Sequence, residues 1–174
     1  VPGPRRFLPS ATRPLLAATR RTCAELDDCD DLDELLDCVC QSLEAHLGIR
    51  HTMVLMAEAD ANKLYTVASR GYPQSGVGSE VSFGEGVIGV AARENTPIRI
   101  GHMTREYSYS AAVNQTARRA GIICDESEGI RFPGLAAPGS QIAVPIADRG
   151  RVLGVIFAES NEMLRFGYED EDAL

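Results

Sequence analysis

At 174 residues the chain has the length of one globular domain, and 44% hydrophobic residues suffice for a packed core. A formal net charge of −8 excludes broad nucleic-acid binding, which needs basic surface to neutralise phosphates. No apolar run reaches the roughly eighteen residues of a membrane span, so membrane contact by this segment is not expected.

The first 22 residues carry Arg5, Arg6, Arg13, Arg20 and Arg21 and no acid, whereas residues 25–44 carry nine acids and no base. So sharp a split of charge predicts that residues 1–30 form a connector or dimerisation helix outside the main domain, which then occupies 31–174. Leu8, Leu15, Leu16, Thr19, Cys23 and Leu26 make its rough stripe, with Pro14 near the start. Pairing with a second copy and packing on its own domain both fit that stripe. Leu32, Leu35, Leu36, Val39, Leu43 and Leu47 predict a clearer second helix, with Asp30 or Asp31 as its cap and Gly48 as its stop.

Strand patterns follow at 51–58 and 63–70, joined by the short connection "ADAN". Then come "SEVSF" at 79–83, a helix over 86–94 and a short strand at 97–100. Residues 101–139 form a long excursion without strand pattern, with a helix candidate around 104–120. Strands at 140–148 and 151–160 turn at Arg149-Gly150. Six strands with hairpins at both ends and helices between predict an α+β fold, a six-stranded antiparallel sheet with helices on its faces.

The stretch "FGEGVIGVAARE" places glycines at 84, 86 and 89, the G-x-G-x-x-G spacing of dinucleotide sites. Such a site requires a parallel βαβ unit and an acid ending the second strand. Here two hairpin-paired strands come first, and the next strand ends in Ile100-Gly101-His102. The glycines are therefore expected to shape a strand-to-helix turn, with Gly89 letting the helix approach the sheet.

The order of these elements resembles the GAF domain, a small-molecule sensor module of signalling proteins. The resemblance rests on "LDELLDCVCQSLEAHLGI", "FGEGVIGVAARENTPIRI", "SQIAVPIADRGRVLGVIFAES" and the closing "FGYEDEDAL", and it runs from about residue 31 to the end. It implies that the terminal helices share one face of the sheet and pair in a homodimer. It also implies a ligand pocket on the other face, roofed by the 101–139 loop. The expected role is that of a cytoplasmic regulatory domain excised from a larger protein, relaying ligand binding through its terminal helices to a covalently attached output domain. A non-binding structural dimerisation domain is the alternative, and a thiol-dependent methionine sulfoxide reductase a minor one; catalysis is not expected.

Family ligands can be weighed against individual residues. The cyclic-nucleotide branch carries Asn-Lys, a gap, Phe, three residues and Asp-Glu. Asn161, Phe166, Asp170 and Glu171 keep that spacing, but the lysine is Glu162, which would repel Asp170 if close. Haem requires an axial ligand, for which His102, opening the pocket loop, is better placed than His46 or His51. Neither cofactor is favoured. A bilin or a reductase would rely on Cys124, which lacks both a following histidine and a second loop thiol. The cysteines at 23, 29, 38 and 40 lack metal spacing, since Cys38 and Cys40 sit about 200° apart on a helix. Cys40 beside the leucine stripe reads as a small hydrophobe. The odd count of five cysteines, with no secretory signal, favours reduced thiols over a disulfide framework. The pocket candidates are therefore His102, Arg105, Tyr107, Tyr109, Asn114 and Cys124. The tyrosines and the amide suit a small polar ligand with a flat part, and the arginine suits an anion.

Overall fold

The computed structural model describes residues 12–58, 62–103, 130 and 132–174. Helices α1 (Thr12–Asp27) and α2 (Leu32–Leu47) open the chain. Helix α2 starts where Asp31 accepts the Glu34 N–H at 2.8 Å while the Glu34 carboxylate accepts the Asp30 N–H at 3.1 Å. This reciprocal arrangement satisfies two amide donors that a helix N-terminus leaves free. At the other end Gly48 takes the left-handed conformation, φ 66°, and returns its N–H to the Glu44 carbonyl. Leu36, Cys40, Leu43 and Leu47 are buried between these caps, while Leu32 in the first turn stays exposed.

Helix α1 packs against α2 and does not stand clear of the domain. Leu15 and Ala18 join the core on that side, Thr22 is buried, and Glu25 accepts hydrogen bonds from Ser42 and, at 2.8 Å, pairs with His46 of α2.

The strands are β1 (His51–Glu58), β2 (Lys63–Arg70), β3 (Glu80–Ser82), β4 (Ile98–Ile100), β5 (Ser140–Asp148) and β6 (Arg151–Ser160), and all pairings are antiparallel. Their order is β3-β2-β1-β6-β5-β4, so the two long hairpins meet at the central pair β1–β6. The β5–β6 turn uses Arg149 and Gly150, both at positive φ (49° and 84°), the geometry whose twist matches a two-residue hairpin.

Strand alternation divides the interior into two layers. Leu43, Leu47, Ile49, Ile142, Ala158 and Phe166 pack on one face, where α1, α2 and the short α4 (Tyr168–Ala173) lie. Met53, Leu55, Leu64, Ala143, Val155 and Phe157 pack on the other, against Ile88, Ala91 and Ala92 of α3 (Gly86–Glu94).

The three glycines serve this second layer. Gly84 and Gly86 sit at φ 85° and 59°, turning the chain out of β3, and the Gly84 N–H reaches the Gly89 carbonyl at 2.7 Å. A Cβ on Gly89 would lie 2.1 Å from the Ser82 carbonyl oxygen. The motif is a packing device, as its surroundings in the sequence predict.

Asp170 meets a cation that the family spacing does not supply. Arg165 donates through Nη1 to Asp170 at 3.0 Å and through Nη2 to the Leu47 carbonyl at 2.7 Å. Asp170 also accepts the Gly167 N–H at 2.8 Å and so caps α4. One guanidinium thus ties the end of α2 to the start of α4. Arg99 of β4 adds a second tie, lying 3.9 Å over the Tyr168 ring and 3.3 Å from the Glu171 carboxylate.

Candidate functional site

A buried acid marks the α3-side face of the sheet. Val155, Phe157 and Glu159 alternate along β6, so the period that buries Phe157 also turns Glu159 inward, where it is only 3% exposed. In register it stands opposite Gln141 of β5 on one side and His51 of β1 on the other. Gln141 donates to one carboxylate oxygen at 3.1 Å, and the Leu135 N–H donates to the other at 2.7 Å. The chain entering β5 is thereby fixed over the end of β6. Phe132 meets Phe157 edge-on, 6.2 Å between centroids, and walls the same region.

Tyr72, just past β2, completes the cluster. Its ring lies 5.6 Å from that of His51, and its buried hydroxyl faces the Glu159 carboxylate. Burial raises the Glu159 carboxyl above its ordinary 4.5, against the lowering pull of the Leu135 and Gln141 donors. Burial, followed by the Glu159 charge, likewise holds the Tyr72 phenol in its protonated form. A desolvated acid beside a buried phenol is a costly arrangement for a core, and such arrangements concentrate at functional sites.

Glu159 borders a cavity of about 270 Å³ between Gly48–His51 on one side and Glu159, Asn161, Arg165 and Phe166 on the other, near the lower limit for small-molecule pockets. A larger hollow, about 470 Å³, lies at the hairpin end of the sheet, lined by Ala57, Phe83 and Val152 with Glu58 and Arg151. Its charged side chains are exposed and lack a desolvated partner, so chemistry favours the smaller cavity.

Of the pocket candidates read from sequence, His102 is described: it is exposed just beyond β4, next to buried Met103, whose N–H bonds the Gly139 carbonyl at 3.0 Å. Arg105, Tyr107, Tyr109, Asn114 and Cys124 lie outside the described residues, as does the helix candidate at 104–120. Glu159, Gln141, Tyr72 and His51 were missed as a group, although the inward position of Glu159 was visible in the alternation of "VIFAES". His46 is engaged by Glu25 on the opposite side of the sheet. Cys40 is buried, with its thiol raised to about 11 by burial, as a small core hydrophobe would be. Among the described residues no three His, Cys, Asp or Glu side chains gather in a metal-binding group.

These features define an antiparallel six-stranded sheet with α1, α2 and α4 on one face and α3 on the other. The chain belongs to the GAF domain family, whose model matches residues 29–174. Solved structures agree on the fold. A GAF domain from a phosphoenolpyruvate-protein phosphotransferase of Coxiella burnetii superposes with a TM-score of 0.69 at 17% identity, covering 94% of this chain and 88% of that one. Free methionine-R-sulfoxide reductase from Neisseria meningitidis, in complex with its substrate, gives 0.69 at 16% identity over 98% and 87%. The A. aeolicus nlh2 GAF domain in an inactive state gives 0.61 at 18% identity over 92% and 85%. No curated protein sequence matches this chain. No helix among the described residues is long and apolar enough to cross a membrane.

Proposed function

We propose that this chain is the cytoplasmic sensory domain of a signalling protein, binding a small polar molecule on the α3-side face beneath the 101–139 segment. The observation that carries this reading is the buried Glu159 carboxylate facing the buried Tyr72 hydroxyl. The ligand has a hydrogen-bond donor for a free lone pair of Glu159 or of the Tyr72 oxygen, and a flat portion for Phe132 and Phe157. His102, Arg105, Tyr107, Tyr109, Asn114 and Cys124 supply the remaining contacts from the segment above. Cyclic nucleotides and haem both remain within the family's range, and neither is favoured by a residue of this chain.

Binding shifts the balance between two arrangements of that segment only as far as the ligand prefers one of them. The sheet passes the difference to α1, α2 and α4, which pair with a second copy and lead to the output domain. Native and denaturing mass spectrometry of one preparation, followed by a thermal-shift screen of metabolites, tests the first step. A ligand found this way should lose at least tenfold in affinity with Glu159→Gln or Tyr72→Phe, the cost of about 1.4 kcal/mol per lost contact. Undiminished binding to both variants would remove the site, and the absence of any ligand would leave a purely structural dimerisation domain. Unchanged spin-label distances between α1 and α4 on ligand addition would remove the relay.

The likeness to the Neisseria enzyme supports a second reading, thiol-dependent reduction of free methionine sulfoxide. The described cysteines sit on α1, α2 and their connector, across the sheet from Glu159, so this activity would fall to Cys124. Turnover of the free sulfoxide that disappears in Cys124→Ser would establish it.

A further inference from the structure

The junction of α1 and α2 gathers two thiols around one polar link. Cys29 lies two residues beyond α1, and its sulfur donates to the Glu25 carbonyl oxygen at 3.5 Å. Cys38 lies in the second turn of α2, with its sulfur 3.7 Å from the Ser42 hydroxyl, and Ser42 in turn donates to the Glu25 carboxylate. The two thiols thus flank one Glu25–Ser42 link and interact with each other. Both cysteines are half-buried, held in place yet open to a small reagent. Cys40 is buried on the sheet side of α2 and Cys23 is exposed on α1. Among the described cysteines only Cys29 and Cys38 combine a place beside this link with access.

We propose that Cys29 and Cys38 are a convertible thiol pair, closed to an intramolecular disulfide by a low-molecular-weight disulfide such as oxidised glutathione. The Cys38 thiolate attacks one sulfur of the oxidant and expels the first glutathione thiolate. The Cys29 thiolate then attacks the Cys38 sulfur of the mixed disulfide and expels the second. Each cysteine gives up one electron and one proton, and the oxidant leaves as two reduced thiols. Two thiols held by neighbouring groups of one Glu25–Ser42 link ask less backbone movement, which is the usual obstacle to a new disulfide. Closure fixes the end of α1 to α2, the helix pair on which any signal leaving this domain travels.

Burial is the largest influence on Cys29 and raises its thiol to about 11; contact with Cys38 and the nearby charges of Glu34 and Asp28 act in the same direction. Glu25 reaches it through its backbone carbonyl. Closure is therefore slow at neutral pH and quickens about tenfold per unit as pH rises toward that value, following the thiolate fraction.

The test treats the reduced full chain with oxidised glutathione at neutral and mildly alkaline pH, alkylates free thiols, and cleaves before aspartate. Cuts before Asp28 and Asp30 free the fragment holding Cys29, and the cut before Asp37 opens the one holding Cys38 and Cys40. The expected product has lost two hydrogens and links the fragment containing Cys29 to that containing Cys38, faster at the higher pH. It persists in Cys40→Ser and Cys23→Ser and vanishes in Cys29→Ser and Cys38→Ser, with the alanine variants used where serine disturbs the packing. A link to Cys23 or Cys40, arrest at a glutathione adduct, or full alkylation after exposure would each overturn the proposal.

Discussion

Glu159 and Glu25 titrate with opposite consequences. The folded state raises Glu159 above 4.5, so it binds the proton more tightly than the unfolded chain does. That preference is fully present below the unfolded value and is lost as pH rises through the folded value. Hydrogen bonding from Ser42, then from His46, lowers Glu25, whose contribution is present above 4.5 and lost as pH falls through its depressed value. Stability attributable to Glu159 should therefore decline from mildly acidic to neutral pH, while the loss due to Glu25 belongs to stronger acid. Urea titrations of Glu159→Gln across this range should give a flatter profile than the parent above pH 4.5. An unchanged slope would show that the carboxyl is solvated in the native state. Glu159 was legible as an inward residue from the two-residue period alone. Tyr72 was not, because it lies outside any strand and reaches the carboxylate only through the tertiary path of the chain.

The elements themselves were more visible than their partners. The α2 caps, the Arg149-Gly150 turn and the role of the G-x-G-x-x-G glycines follow from local rules of backbone conformation, and each is found where those rules put it. Gly89→Ala places a methyl against a backbone oxygen that cannot rotate away. The expected cost is about 2–3 kcal/mol, read as a lower urea midpoint, with α3 lifted from β3. The Arg165 tie was not legible. Reading the family spacing assigns a lysine to position 162, whereas the cation here comes from three residues later and also takes a carbonyl from the far end of α2. Arg165→Ala should cost about 1.5–3 kcal/mol, the range for hydrogen bonds to charged groups, and should speed amide exchange in α4. Arg165→Lys should recover only part, since one ammonium replaces a fork that reaches two acceptors in different directions.

At the scale of the molecule, α1, α2 and α4 occupy one side of the sheet, and α3 with the Glu159–Tyr72 cluster the other. The sheet's centre is the β1–β6 pair, which joins the first strand of the chain to the last. The Arg165 bond to the Leu47 carbonyl spans 118 residues in the same sense. While the chain is being synthesised, β1 therefore shows an unpaired edge bearing Met53 and Leu55 until residues 151–160 have emerged. A long wait with an apolar edge uncovered invites pairing with another nascent chain. This architecture makes the final strand the gatekeeper of solubility during synthesis, a burden separate from any message the finished domain conveys.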